Sequence, residues 1–243
     1  MFNWTKYDSV ALPLSLLVII LMAICYHYLT KKQSHKKRKI ILQIIGVTLA
    51  VLEIIKILYH VINKTFTPVI LPFHFCSVFI YLIPLAQFLP NKLAKHIKPL
   101  PFCYAIMVII ILWVNPGATI GNASAGIFKS FPNFHTFFFH QIVIAYFVFS
   151  IAINDYVPKL SHCLNLAIGV VVYSCYAIPA AFLLNNNYVN ILFSLFKPLE
   201  TFRINYGQFW YDLCLFILAI IGISLIHIIY YVIYRLLHKK TDL

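Results

Sequence analysis

Leu71 to Cys76 reads Leu-Pro-Phe-His-Phe-Cys and sets a histidine and a cysteine at the mouth of a long apolar run. Groups that titrate or attack are costly inside lipid unless a site pairs or uses them, so His74 and Cys76 raise a functional hypothesis by default. A thiol with an ordinary pKa of about 8.5 must hand its proton to a base before it attacks an ester. His74 is badly placed to be that base, because side chains two residues apart on a helix point about 200° apart. The base must come from another segment, and His140, near the start of a later apolar run, is the candidate.

The elements that position these residues are set by composition. Of the chain, 62% is hydrophobic and 10% charged, against roughly 25% charged in a soluble domain. This is the composition of an integral membrane protein. The net charge of +13 falls in short clusters between apolar runs, as positive-inside sorting requires, and not along an amphipathic soluble face, which argues against nucleic acid as a partner. The first run, Ser9 to Leu29, is followed rather than preceded by its basic cluster, so it reads as a retained span and not a signal peptide. No Cys-x-x-Cys or framework spacing joins the six cysteines, and Cys25, Cys103, Cys163, Cys175 and Cys214 read as packing residues.

A spanning helix needs roughly 17 to 25 mostly apolar residues. Seven runs meet or approach that length: 9–29, 40–62, 73–89, 100–114, 136–153, 163–184 and 208–237. The expected fold is an all-α membrane protein, a seven-transmembrane-helix bundle forming one polytopic domain over residues 1–243. Its N-terminus lies outside and its C-terminus in the cytoplasm, and the cell membrane is the expected location. The fourth run is the weak one, at about 15 residues. Without it the Lys and Arg asymmetry would persist, so charge leaves six and seven spans open. Pro84 and Pro179 fall inside spans and read as ordinary membrane kinks.

With seven spans, the third and fifth run the same way, which places Cys76 and His140 at similar depth, each about 6 Å past the expected start of its helix. Six spans would put them on opposite sides. Glu53, Lys56 and His60 recur at spacings of three and four and share one face of the second span. Asp212 and Tyr211 open the last span. Blander readings stand beside these: Glu53 and Lys56 as a neutralising pair, Asp212 as an interfacial acceptor, and Tyr206, Trp210 and Tyr211 as an aromatic belt. His74 is expected to face a neighbour such as Glu53, or to line the way in.

The stretch Leu71-Pro72-Phe73-His74-Phe75-Cys76-Ser77 resembles the Leu-Pro-x-His-x-Cys-Ser signature of the YwaF-like bacterial membrane proteins, which are similar to the transmembrane protein 164 family. The resemblance extends to Glu53, Asn115-Pro116, His140, Asn187-Tyr188, Lys197-Pro198 and Trp210-Tyr211. It implies a seven-helix membrane fold, which favours counting 100–114 as a span. It also implies, from the animal relatives, a phospholipid acyltransferase whose cysteine and histidine match Cys76 and His140. The segment between Tyr188 and Lys197-Pro198 is longer than the usual pattern.

The leading expectation is therefore acyl transfer from a phospholipid at the outer side of the membrane. Cys76 is the nucleophile, His140 the base, and Glu53 or Asp212 orients the imidazole, with His74, Asn187 and Tyr188 in supporting or substrate-binding positions. Membrane lipids are the expected partners, and no cofactor is called for. A zinc site drawn from His60, His74, His135, His140 and Asp212 lacks any tight ligand motif. The main non-enzymatic alternative is a transporter or lipid-binding protein whose polar cavity is lined by Glu53, Lys56 and Asp212. The basic stretch from Lys31 to Lys39 reads as a topology signal, with anionic-lipid contact a by-product.

Overall fold

Lipid offers no partner to a backbone amide or carbonyl, so an apolar run that enters it must satisfy those groups along its own length, as a helix does. The computed structural model describes residues 4–121 and 123–238, and no strand occurs among the described residues. Six helical stretches are long and apolar enough to cross a bilayer: Asp8–Thr30, His35–Ile62, Asn91–Val114, Phe131–Ala152, His162–Leu183 and Gln208–His238. Five match expected runs, with shifted ends, and the sixth takes in the run expected over 100–114.

The other two runs depart from expectation in opposite directions. The run expected over 73–89 forms only the shorter helix Phe75–Phe88. Leu71 precedes a proline and is held extended at φ −63°, ψ 148°, which keeps the chain out of the α region there. The Ser77 amide then donates to the His74 carbonyl at 2.9 Å, Phe75–Val78 coils as a 3₁₀ turn, and α-helix begins only at Phe79. The run expected to be short is instead full length, at 24 residues. Lys98 sits at φ −49°, ψ −36°, so Asn91–Ile97 continues into Pro99–Val114, and the fixed φ of Pro99 is compatible with that path. Lys92, Lys95 and Lys98 mark a boundary in sequence but ride on this helix.

Two units emerge, residues 4–63 with 79–157 and residues 64–78 with 158–238. The first contains α1 (Asp8–Thr30), α2 (His35–Arg38), α3 (Ile40–Ile62), α4 (Phe79–Phe88), α5 (Asn91–Ile97), α6 (Pro99–Val114), α7 (Pro116–Thr119) and α8 (Phe131–Ala152). Helix α8 is its hub and packs on α1, α3 and α6, while α3 also packs on α4. Because lipid is as apolar as the side chains, close packing and interhelical hydrogen bonds hold such helices together. At Gly46 a Cβ would stand 3.1 Å from Ile83 Cγ2 and 3.4 Å from the Pro84 nitrogen, so α3 and α4 touch where a larger residue would force them apart. Ser15 donates to Gln141 Oε1 at 2.8 Å between α1 and α8.

These contacts fix helix directions within the unit. Gln43 meets Gln87 and Gly46 meets Ile83, so α4 runs antiparallel to α3. Glu53 meets His135, near the start of α8. Helices α4 and α8 therefore run the same way, as expected of the third and fifth apolar runs.

Polar clusters close both ends of the unit. At one, the Thr5 amide and hydroxyl both donate to Asp8 Oδ2 at 2.8 Å, and the Asp8 amide returns a bond to Thr5 Oγ1 at 3.2 Å, the reciprocal pattern of a capping box. The Ser124 hydroxyl donates to the other Asp8 oxygen. At the other end, buried Asp155 accepts from Lys98 Nζ at 2.7 Å and from Gln87 Nε2 at 3.1 Å.

The second unit contains α9 (His162–Leu183), α10 (Lys197–Tyr206) and α11 (Gln208–His238), with α9 packed on α11. Ala177, Ala180, Ala181, Tyr188 and Ile191 form its core, against which Phe73 packs. Gly207, at φ 88°, ends α10, a conformation that glycine alone adopts without penalty. In α10, outside the spans, hydrogen bonds from the Arg203 guanidinium and then the Ser194 amide hold the Glu200 carboxyl down to about 2. Lys64, Asn154, Asn185 and Asn190 take positive φ, and so does Val189 at φ 54°. Asparagine tolerates this region through local hydrogen bonds, whereas a β-branched residue there is strained.

Two outcomes follow for stability. Asp155→Ala leaves the largely covered Lys98 without its anion and should lower stability by about 3 kcal/mol; thermal unfolding in detergent measures this, and a double change with Lys98→Met should recover part of the loss. Val189→Asn should raise the melting temperature, by an amount corresponding to about 1 kcal/mol of relieved strain. An unchanged or lower value would contradict the strain reading.

Candidate active site

The polar face of α3 is real, and its neighbour is α8. Glu53 Oε1 accepts from Lys56 Nζ at 2.5 Å, a pairing that the three-residue spacing makes natural. Glu53 Oε2 lies 3.6 Å from His135 Nε2, within ion-pair range but too long for a hydrogen bond. Both atoms are buried and lack a hydrogen-bond partner among the described residues. Glu53, expected to orient His140, thus faces His135. Tyr59 stacks near Phe131, with ring centroids 5.0 Å apart, and carries the contact between α3 and α8 one turn further.

His140 is oriented by its own helix. Its Nδ1 lies 2.7 Å from the Thr136 carbonyl oxygen. A carbonyl can only accept, so Nδ1 carries the hydrogen and, in the neutral ring, Nε2 holds the lone pair. Nε2 is buried and has no hydrogen-bond partner among the described residues. Buried polar atoms without partners are rare, and an imidazole locked in one tautomer with its basic nitrogen free is suited to general-base work. Helix α8 starts at Phe131, five residues before the expected start, with Ser130 Oγ accepting from the Asn133 amide. His140 therefore sits about 13 Å along α8, not one turn in.

Cys76 lies in the 3₁₀ turn that leads into α4, half-buried and with a free thiol. It sits in the opening turn of its helix rather than a full turn past the start. Below it in sequence, the second unit holds the approach to this turn in place. Tyr173 donates to the Phe73 carbonyl at 2.9 Å, Tyr188 donates to the Pro68 carbonyl, and the His74 ring packs edge-on to Tyr188 with centroids 5.0 Å apart. Tyr173 thus supplies a donor to a carbonyl outside any helix, and Tyr188 a second donor to one that the Leu71 amide already reaches at 3.0 Å.

The remaining expected residues organise the loop around Tyr188. Asn187 Oδ1 accepts from the amides of Leu192 and Phe193 at 2.9 and 3.2 Å, and its Nδ2 donates to the Phe193 carbonyl at 2.9 Å, so its side chain is committed to backbone. Asp212 accepts from Gln208 Nε2 at 2.9 Å. Gln208 also donates to the Ile191 carbonyl at 2.7 Å, and Tyr211 donates to that of Asn190. No three His, Cys, Asp or Glu side chains among the described residues gather closely enough to hold a metal ion.

Two polar groups with structural weight escaped expectation. His135 was singled out only as a ligand for zinc, and its partnership with Glu53 depends on which helices touch, which periodicity does not reveal. His227, fully buried in the middle of α11, has its Nε2 2.9 Å from the Lys159 carbonyl. The signal was a lone histidine in the longest apolar run.

No curated protein and no solved structure matches the chain. The family model for the TMEM164 family matches residues 1–238. That span is nearly the whole sequence, and the protein, a multi-pass membrane protein, belongs to the TMEM164 family.

Proposed function

We propose that this protein is a phospholipid acyltransferase of the cell membrane in which Cys76 is the nucleophile and His140 the base. The observation that carries the reading is the free, buried Nε2 of an imidazole whose other nitrogen is fixed by the Thr136 carbonyl. Helix directions in the first unit add support. Gln87 near the end of α4 bonds to Asp155 just past α8, so the eight residues back to Phe79 rise about 12 Å, level with the middle of α8 near Ala145. Cys76 precedes Phe79 by three residues in sequence.

The chemistry balances as two acyl transfers. The Cys76 thiol gives its proton to His140 Nε2 as sulfur attacks the ester carbonyl; the C–S bond forms, the ester C–O bond breaks, and the proton passes to the departing lysolipid oxygen. An acceptor hydroxyl, from a lysolipid or water, then attacks the thioester while His140 takes its proton, the C–S bond breaks and the thiol is restored. Orientation of the base falls to Thr136, so neither Glu53 nor Asp212 is needed for it. The proposed topology has seven crossings, with Phe75–Phe88 as a short one and the N-terminus outside, and in it this centre lies toward the outer side.

The buried Glu53, Lys56 and His135 set favours a second reading, a transporter or lipid-binding protein that uses these groups in a polar cavity. The readings separate by substitution. In reconstituted vesicles Cys76→Ala and His140→Ala should each abolish lipid acyl exchange and a hydroxylamine-sensitive acyl adduct on the protein, while Glu53→Gln should leave the adduct in place; an adduct that survives Cys76→Ala overturns the thioester mechanism. Single-cysteine labelling from each face should find Cys76 on the same side as the N-terminus, and reaction from the opposite face alone would remove the seven-span arrangement.

A further inference from the structure

Segments 31–39 and 91–98 carry nine Lys and Arg and no Asp or Glu. Such clusters beside spanning helices ordinarily need no explanation beyond topology. Here, however, the cations are not a loose string. Residues His35–Arg38 fold as α2, and the stretch is fastened at several points. Tyr26 donates to the Arg38 carbonyl at 3.0 Å, Arg38 Nη2 donates to the Ala152 carbonyl at 3.0 Å, and His35 Nε2 stands 3.8 Å from Asp155 Oδ1. Lys98 binds the same Asp155 oxygen from the start of α6. Asp155 thus draws α2 and the α5–α6 helix to one end of the first unit.

The charge there does not balance. Asp155 is the carboxylate that these contacts share; one of its oxygens is taken by Lys98 and the other by Gln87. Arg38 Nε is a buried donor with no hydrogen-bond partner among the described residues. Lys36, Lys37, Lys92 and Lys95 are exposed. Held cations need give up little freedom to bind an anion, and their place directly at the ends of α1, α3 and the α5–α6 helix is the level of lipid headgroups. Clusters of this size in that position attract anionic lipids.

We propose that this end of the first unit is a binding site for an anionic phospholipid headgroup, with Lys36 and Lys37 of α2 and Lys92 and Lys95 of α5 meeting the phosphate and Asp155 holding the two segments in place. The site is independent of the acyl-transfer reading. The test uses purified full-length protein in neutral detergent, with lipid adducts read by native mass spectrometry and stability by melting temperature. Phosphatidylglycerol should give a saturable adduct and raise the melting temperature, and phosphatidylcholine should do neither. The variant Lys36→Gln/Lys37→Gln/Lys92→Gln/Lys95→Gln changes exposed groups only and should fold with an unchanged lipid-free melting temperature, while losing on the order of a thousandfold in phosphatidylglycerol affinity. Equal adducts with phosphatidylcholine, or an undiminished phosphatidylglycerol adduct on the variant, would overturn the proposal. So would glycerol phosphate matching phosphatidylglycerol at equal concentration, since that would make the ligand a soluble phosphate rather than a lipid.

Discussion

Inside hydrocarbon there is no water to complete an unfinished hydrogen bond, and that scarcity governs this fold more than any single contact. It requires each apolar run to become a helix, and it requires each polar side chain carried into those helices to find its partner within the protein. Ser15 finds Gln141, Gln43 finds a carbonyl of α4, and His27 approaches the Ala152 carbonyl at 2.6 Å. Around the short 3₁₀ turn at Pro68 and the irregular chain at Phe73, the hydroxyls of Tyr188 and Tyr173 donate to backbone carbonyls, the role that water would have. Buried side-chain atoms without a hydrogen-bond partner nonetheless remain at several places among the described residues, on Gln87, Asn115, Thr119, Gln141 and Ser150 as well as on Glu53, His135 and His140.

Three of the unanswered atoms, Glu53 Oε2, His135 Nε2 and His140 Nε2, belong to α3 and α8 of the same unit. His135 and His140 are five residues apart, about 140° around α8, so one helix presents two imidazoles to different surroundings. One lies beside a carboxylate that a lysine already pairs; the other is tied to its own backbone. The division separates charge compensation from proton handling, in keeping with the roles proposed for the two sets.

Much of this architecture is legible in residue order, and the gaps have physical causes. Hydropathy located six spans because apolar length is a local property. It misjudged extent at two places: the helix that ends at Val114 begins as early as Asn91, with three lysines along it, and the run over 73–89 is cut to Phe75–Phe88 by Pro72 and the 3₁₀ turn. Periodicity grouped Glu53 with Lys56 but was blind to the neighbouring helix, so His135 went unnoticed as its partner. Asp155 stands between two apolar runs with nothing local to mark it. Its importance comes from Lys98 and Gln87, each more than fifty residues away. The tautomer of His140 rests on a single carbonyl, and no pattern of residue types announces it.

The brevity of Phe75–Phe88 has a bearing on where such a protein is at ease. A helix of about 14 residues is near 21 Å long, against hydrocarbon about 30 Å thick. If it crosses, the surrounding lipid must thin at that wall while the six longer helices of the described residues ask for full thickness. Such a mismatch costs fractions of a kcal/mol per ångström, which makes the bilayer around this wall the one most readily deformed and ties the protein's comfort to the chain length of the lipids that surround it.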